Sequence, residues 1–305
     1  MFFVKTAQKL IFLLAILFLI VSACSEPAPV EKPTFKSVVG IRFIEVRREF
    51  DNGISFNSYG FQQEPEWILE FMSDDSVKIY SPFEKKFLHY FVIYDRNNIF
   101  NMAREWVRLK HVSKDSLTFQ LLQVNNKVVN QKRSNVLMKF FSENYLKSKQ
   151  LDPKQLQKPN QKDTAFIKSL IAKANKYPDA PDSTFAARKP VTIISNTDAI
   201  KVKQSHTTSN MLEASRADEY LNPEYKISIT GAYEDFSYSF SVVVDEKGKM
   251  HLGQYAAMDE FRESQQRLLN ALIEGYLHKY LTIVPGRTLG MPHASEIMIY
   301  LKGKK

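Results

Sequence analysis

The chain has 305 residues, one cysteine and a formal net charge of +9, with 44% hydrophobic and 25% charged residues. This composition is typical of globular domains, and the length allows two modest hydrophobic cores. A lone cysteine excludes an internal disulfide, and scattered lysines and arginines without a binding motif argue against nucleic acid as a partner.

Residues 1–23 have the pattern of a cleavable signal peptide. Lys5 and Lys9 precede an apolar run over residues 10–20, and small residues follow that run. A charged start, a short apolar run and a small-residue cleavage site are typical of secretory signals, and the run is short for a membrane-spanning helix. The competing interpretation is an uncleaved membrane anchor with an incidental cysteine.

The end of the apolar run carries the quartet Val21, Ser22, Ala23 and Cys24. It resembles the lipobox of bacterial lipoproteins, in which the cysteine is diacylated on sulfur and the peptide is cut before it. The resemblance implies that Cys24 holds the mature chain on a membrane, and two or three acyl chains make a stable anchor. Ser25 is not the aspartate that retains many lipoproteins at the inner membrane, so the resemblance favours the outer membrane of the cell envelope. Residues 24–36 are then a lipid-anchored tether.

Residues 37–146 have the pattern of short strands separated by polar turns. Aromatic and β-branched residues dominate near 39–44 and at 67–71, 77–80, 87–94, 105–111, 117–124 and 135–141. About eight strands without helical crossovers predict an antiparallel meander, either a barrel or a sandwich. In strand number and turn spacing the region resembles small lipocalin-like domains of bacterial lipoproteins. That resemblance implies a small apolar ligand as one alternative, although core packing explains the same aromatic residues.

Residues 147–189 are rich in Gln, Lys, Asp and Pro. One helix is predicted over residues 163–176, because four apolar residues share one face at helical spacing: Phe166, Leu170, Ile171 and Ala174. Asp163 or Thr164 is the expected N-cap. We interpret this segment as a linker whose helix packs on one of the domains.

Residues 190–305 predict strands around one long helix. Residues 190–202 are expected to form a strand pair or one bent strand, and further strands are predicted at 225–230, 236–244, 250–254 and 296–301. Gly248 favours a hairpin turn at residues 245–249, because glycine adopts positive φ without strain. The helix is predicted over residues 259–281 with Asp259 as N-cap, from an apolar stripe formed by Phe261, Gln265, Leu268, Leu269, Leu272, Ile273, Tyr276 and Leu277.

The loop predicted at residues 284–292 contains Pro285, Gly286, Gly290 and Pro292. Together with the glycine turn before the helix and the strand after the loop, it resembles the C-terminal domain of TonB-type proteins. The resemblance implies a β-β-α-β fold and partner contacts through a sheet edge, with these four residues as candidate structural or partner contacts. The Tyr-Pro-x-x-Ala segment of that family is missing, and Asn222-Pro223-Glu224-Tyr225 stands in its place. TonB itself keeps an uncleaved helix coupled to a proton-driven motor, so a cleaved lipobox implies that energy transduction does not carry over.

No hydrolase, zinc-peptidase or phosphate-loop motif occurs in the sequence, and the six histidines show no metal-ligand spacing. We therefore predict no enzyme activity, metal or cofactor. The predicted fold is α+β, with an N-terminal antiparallel β meander and a C-terminal TonB-like β-β-α-β domain over residues 190–305. The predicted function is that of a non-catalytic envelope lipoprotein that binds a partner protein. The alternatives are a lipocalin-like carrier of a small apolar ligand and an envelope hydrolase with an unrecognised site.

Overall fold

The computed structural model describes residues 32–178, 180–205 and 217–305. The signal peptide, the lipobox with Cys24 and most of the tether lie outside the described residues. The fold is mixed and mostly β, with a few helices, as predicted. Of the helices in the described ranges, none is both long and apolar enough to cross a membrane.

The strands in the described ranges are β1 Arg42–Phe50, β2 Ile68–Ser73, β3 Ser76–Ser81, β4 Lys86–Phe91, β5 Ile93–Tyr94, β6 Ile99–Met102, β7 Glu105–Val112, β8 Ser116–Leu122, β9 Val124–Asn125, β10 Val128–Val129, β11 Val136–Ser142, β12 Thr192–Ser195, β13 Ile200–Ser205, β14 Glu224–Thr230, β15 Phe236–Val244, β16 Met250–Tyr255, β17 Leu281–Val284, β18 Arg287–Thr288, β19 Met291–Pro292 and β20 Ser295–Lys304. The α-helices are α1 Glu143–Ser148, α2 Pro153–Leu156, α3 Gln161–Lys176, α4 Asp218–Leu221, α5 Arg262–Leu272 and α6 His278–Tyr280. A π-helical turn spans Ile273–Leu277, and 3-10 turns span Lys36–Val38, Pro181–Ser183 and Asp259–Phe261.

The N-terminal domain is a nine-stranded antiparallel sheet in the order β4-β3-β2-β1-β11-β8-β7-β6-β5. β1 to β4 pair in chain order, β5 to β8 do the same, and β11 pairs with both β8 and β1. The two end strands, β4 and β5, are separated in the chain by Val92 alone, so the sheet is nearly closed. The predicted meander is therefore confirmed, and its form is barrel-like. The sequence pattern does not predict β6, a four-residue strand between two turns.

Apolar side chains fill the interior of this sheet. Phe35, from the segment before β1, is fully buried, and its ring stacks on Phe71 with 4.0 Å between centroids. The Phe100 ring lies 5.1 Å from that of Phe35. Asp74 holds the segment in place by accepting hydrogen bonds from the Phe35 amide and the Thr34 hydroxyl. The last residues of the predicted tether therefore belong to the core of the domain.

The predicted linker contains two helices, α2 and α3, where one is expected. Asn160 caps α3: its side chain accepts from the Asp163 amide, and the Asp163 carboxylate accepts from the Asn160 amide. This reciprocal arrangement is a capping box, and it satisfies two amides that a helix end leaves free. The prediction of Asp163 or Thr164 as N-cap is therefore wrong, because Asp163 is the third residue of the helix.

A cluster of buried side chains joins the two domains through α3. Its members are Phe56 of the N-terminal domain, Ile167 and Ala174 of α3, Phe185 of the linker, and Val243 and Ala294 of the C-terminal domain. The Ala294 amide also donates to Asn175 Oδ1 at 3.0 Å. The helix thus packs on both domains, whereas the prediction has it on one of them.

The C-terminal domain is a five-stranded sheet in the order β13-β14-β20-β15-β16. β20 lies in the centre, parallel to β14 and antiparallel to β15. α5 and the π turn cover one face, where they bury Leu269, Ile273 and Leu277. β12 pairs with β17 and β13 pairs with β14, so residues 190–202 form neither a strand pair nor one bent strand.

The long predicted helix is interrupted. A 3-10 turn precedes α5, the π turn contains Gly275, and Leu281 already belongs to β17. Asp259 is not the N-cap, because its exposed carboxylate binds Arg262 at 3.0 Å. The predicted apolar stripe is buried only in part: Leu269, Ile273 and Leu277 are buried, whereas Phe261 and Leu268 are 57% and 41% exposed.

Candidate functional site

The loop around Pro285 and Pro292 holds another segment of the chain. Lys189 and Arg287 exchange two backbone hydrogen bonds of 2.9 Å each. The short strands β18 and β19 close the loop as a small hairpin, so the prediction of an unstructured loop from Val284 to Pro292 is wrong in part. The hairpin forms because non-local backbone bonds to the linker fix its first strand.

The two glycines of this loop have different roles. Gly286 is buried, and a Cβ at this position would lie 2.5 Å from the Cβ of Ala187 and 2.8 Å from Ser295 Oγ. Gly290 lies at the hairpin tip with φ +79°, in open space. Of the four predicted contact residues, Gly286 therefore serves close packing within the chain, and Gly290 serves the turn.

His293 is fully buried at the base of this loop. Its Nδ1 lies 3.0 Å from the Ala294 carbonyl oxygen, which only accepts, so Nδ1 carries the proton. Nε2 then accepts from the Thr288 hydroxyl at 2.9 Å, and Thr288 Oγ1 accepts from the Arg188 amide at 3.2 Å. The ring stacks on Phe185 at 3.9 Å. Burial lowers the pKa of His293 to about 4, so this histidine is a neutral packing residue.

Glu45, a fully buried carboxylate, is bound by an arginine. It accepts two hydrogen bonds of 2.7 Å from Arg48, and the amides of Glu66 and Trp67 also donate to it. With its acceptor sites filled in this way, Glu45 suits a structural role and not proton transfer to a substrate.

Asp163 is a second fully buried carboxylate, at the junction of α3 with the barrel-like sheet. It accepts from Arg47 at 2.8 Å and from the amides of Ser55 and Asn160 at 2.7 and 2.8 Å. Burial alone would raise the pKa of Asp163, but these hydrogen bonds hold it below its ordinary value. The sequence contains no local signal for the contact with Arg47, because the two residues are far apart along the chain.

A cleft of about 700 Å³ with polar and apolar lining lies between the domains, with Arg48, Glu64, Tyr220 and Phe83 among its lining residues. Arg188 packs 4.2 Å over the Tyr220 ring and binds Glu64 at 2.6 Å. Arg48 and Arg188 are each paired with a carboxylate. We therefore describe the cleft as a contact region between the two domains.

The hairpin between β15 and β16 brings an acid and a base together. His251 Nε2 lies 3.3 Å from Asp245 Oδ2, while Asp245 Oδ1 accepts the amides of Lys247 and Lys249, each at 2.9 Å. Burial would raise the pKa of Asp245, and these hydrogen bonds lower it. The carboxylate thus shapes the turn. Over the described residues, no three His, Cys, Asp or Glu side chains converge as a metal site requires.

One of the two edges of the C-terminal sheet is followed in the chain by exposed apolar side chains. β16 is an edge strand, and within the described ranges no strand pairs with its outer side. The chain continues from β16 into three exposed side chains: Met258 at 72%, Phe261 at 57% and Leu268 at 41% exposure. Tyr255 Oη donates to the Arg262 carbonyl at 3.3 Å and so holds the end of β16 beside α5. We call the outer side of β16 with these three side chains the edge patch.

The lipobox residues Val21, Ser22, Ala23 and Cys24 lie outside the described residues, so they remain predictions from sequence. No protein-family model matches the chain, and no curated protein matches it either.

Proposed function

We propose that this chain is a non-catalytic lipoprotein of the cell envelope, with the outer membrane favoured, and that its C-terminal domain binds another envelope protein. The lipobox pattern that ends at Cys24 supports the lipid anchor. The element order β15, β16, α5 and β20 supports the proposed TonB-like domain, and β13, β14 and the short strands β17–β19 are additional to a β-β-α-β unit. Energy transduction is not part of the proposal, because cleavage before Cys24 would remove the apolar run of residues 10–20, and no helix of the described residues could take its place in the membrane.

The edge patch is the main structural support for the proposed contact with a partner protein. An unpaired edge strand offers backbone donors and acceptors to a strand of another protein, and exposed apolar side chains beside it add buried area to the contact. Two features limit the length that a partner strand can cover. The first amide of β16, at Met250, already donates to His278 Nε2 at 3.2 Å, and a bulge opposite Ser241 interrupts the pairing of β16 with β15.

Site-specific photo-crosslinking tests the partner contact. A benzoylphenylalanine in place of Phe261 should yield a discrete adduct with one envelope protein in intact cells. The same probe in place of Tyr233, which is 95% exposed elsewhere on the domain, is the matched control and should yield none. Leu268→Asp should remove the Phe261 adduct, because a charge in the contact is costly to desolvate. Equal adducts from both probe positions would contradict the proposal.

Metabolic labelling tests the anchor separately. Labelled palmitate should enter the wild-type chain and not the Cys24→Ser variant, because only the thiol accepts the diacylglyceryl group. The variant should also keep its signal peptide. A wild-type chain without label, or a labelled Cys24→Ser chain, would refute the lipid anchor while leaving the crosslinking result intact.

The filled interior of the N-terminal sheet disfavours the carrier alternative. Phe35, Phe43, Phe71, Phe100 and Phe119 are all buried there, where a carrier would need an open cavity. For the hydrolase alternative, the buried carboxylates and His293 are engaged in structural hydrogen bonds, so neither alternative gains support from the geometry.

A further inference from the structure

One face of the C-terminal sheet is open and rich in lysine. Side chains alternate along β13, β14, β15 and β20, so that one set packs under α5 while the other set is exposed. The exposed cations of this second set are Lys201, Lys203, Lys226, Lys302 and Lys304. We call this surface the basic face.

The register of the strands concentrates these charges. Lys203 lies directly opposite Lys226 in the antiparallel pair, and Lys226 lies beside Tyr300 in the parallel pair. In the next row, Lys201 and Lys302 flank Ser228 on its two sides. Like charges on directly opposite strand positions destabilise a sheet. The fold therefore carries a local repulsion that an anionic partner would relieve.

Little opposes the positive potential where the lysines lie. Asp235, at the rim, has its carboxylate 3.9 Å from Lys304 Nζ, and both side chains are largely exposed. Glu224 lies two residues before Lys226 on the same face, in the row next to the Lys203–Lys226 pair, and Glu296 lies near it beside Ser241. At this end of the strands the face is covered, because Val243 packs against α3 in the cluster that joins the domains. The lysines occupy the rows that lie beyond this covered end.

The residue types of the basic face favour a diffuse anionic surface over a single ligand. All its cations are lysines, which act as point charges on flexible stems, and short Ser and Thr side chains fill the positions between them. Lysines near an anionic bilayer each contribute about 1 kcal/mol to binding, which is about fivefold in affinity.

The proposed anchor keeps the described part of the chain close to a membrane surface. Seven residues, 25–31, lie between Cys24 and Lys32, the first described residue, and these eight Cα–Cα steps span at most about 29 Å. We propose that the basic face rests on the anionic phospholipid headgroups of the membrane that holds Cys24, as a second attachment beside the acyl chains. The reach of the tether rests on the proposed function, but the affinity of the face for anionic lipid does not.

Vesicle flotation of the unlipidated chain from Ser25 onward tests the inference. This chain keeps every described residue, and it should float with vesicles that contain phosphatidylglycerol and not with pure phosphatidylcholine. Replacement of the five lysines of the basic face by glutamine should weaken this binding by on the order of 1,000-fold, from about fivefold for each lysine. The matched control replaces five exposed lysines of the N-terminal domain and of α1 and α2 by glutamine: Lys110, Lys114, Lys132, Lys147 and Lys154. It removes the same charge and should keep binding within about threefold.

Each other outcome overturns the inference. Equal loss in the two variants would mean that net charge alone drives the binding, and no flotation with either vesicle would mean that the face does not bind lipid. A benzoylphenylalanine in place of Tyr300 should form a lipid adduct in cells. A protein adduct there, without flotation, would assign the face to an acidic protein. Because the protein is unlipidated and the probe lies away from the edge patch, these results are independent of the palmitate and Phe261 tests.

Discussion

His293 makes the stability of this protein depend on pH in a predictable window. Its pKa is about 4 in the folded chain, against 6.5 for a histidine exposed by unfolding. Between these values the unfolded chain binds a proton that the folded chain does not, so stability falls as the pH goes down from 6.5 toward 4. A difference of 2.5 pKa units at about 1.36 kcal/mol each gives a loss of roughly 3 kcal/mol.

The His293→Gln variant isolates this contribution. It lacks the titrating ring, so it should be less stable than wild type at neutral pH but should lose about 3 kcal/mol less on acidification to pH 4. The measurement is urea unfolding at a series of pH values, followed by far-ultraviolet circular dichroism. Other groups that titrate over this range are common to both chains and cancel in the difference.

A histidine elsewhere provides the control. His89 lies exposed on β4, and His89→Gln should keep the wild-type pH dependence within about 0.5 kcal/mol. If the wild-type and His293→Gln chains lost stability in parallel from pH 6.5 to 4, the assignment of His293 as a buried neutral residue would be refuted.

Four further changes test the packing by urea unfolding at neutral pH. Phe35→Ala should destabilise the chain by about 3–5 kcal/mol, because it leaves a cavity in the interior of the barrel-like sheet; a loss below 1 kcal/mol would contradict the burial of Phe35. Asp163→Asn should cost about 2–3 kcal/mol by leaving Arg47 with one carboxylate fewer, and an unchanged midpoint would argue against that ion pair. Gly286→Ala should cost about 1–3 kcal/mol through overpacking, whereas Gly275→Ala, with open space around its Cβ, should be neutral or stabilise by up to about 1 kcal/mol.

Local patterns predict much of the secondary structure. Alternating side chains place β14, β15 and most strands of the N-terminal meander within a few residues, because burial of one face imposes a period of two. The hairpin glycine Gly248 has φ +87°, as its turn predicts. These features depend on interactions between residues that are close together in the sequence, so the sequence pattern predicts them.

Contacts between residues far apart in the sequence account for the differences between the predicted and the observed structure. The pairing of β12 with β17 and of β13 with β14 joins residues tens of positions apart, so residues 190–202 alone do not reveal two sheets. The prediction of the helix cap fails for a related reason. Asp163 has a side chain typical of an N-cap, but it is buried in an ion pair with Arg47. The lysines of the basic face are visible at alternate positions, but the sequence does not show that β14 runs parallel to β20.

The entry of the chain into the barrel-like sheet determines how that domain responds to mechanical tension. A pull on the N-terminal segment reaches the fold at Phe35, whose ring lies between Phe71 and Phe100. The first contacts to be loaded are the ion pair of Lys32 with Asp75 at 3.1 Å and the hydrogen bonds of Asp74 with Thr34 and the Phe35 amide, followed by the stacked rings. Withdrawal of Phe35 would leave a cavity among the remaining aromatic side chains, so tension on the N-terminal segment acts directly on the core of the domain.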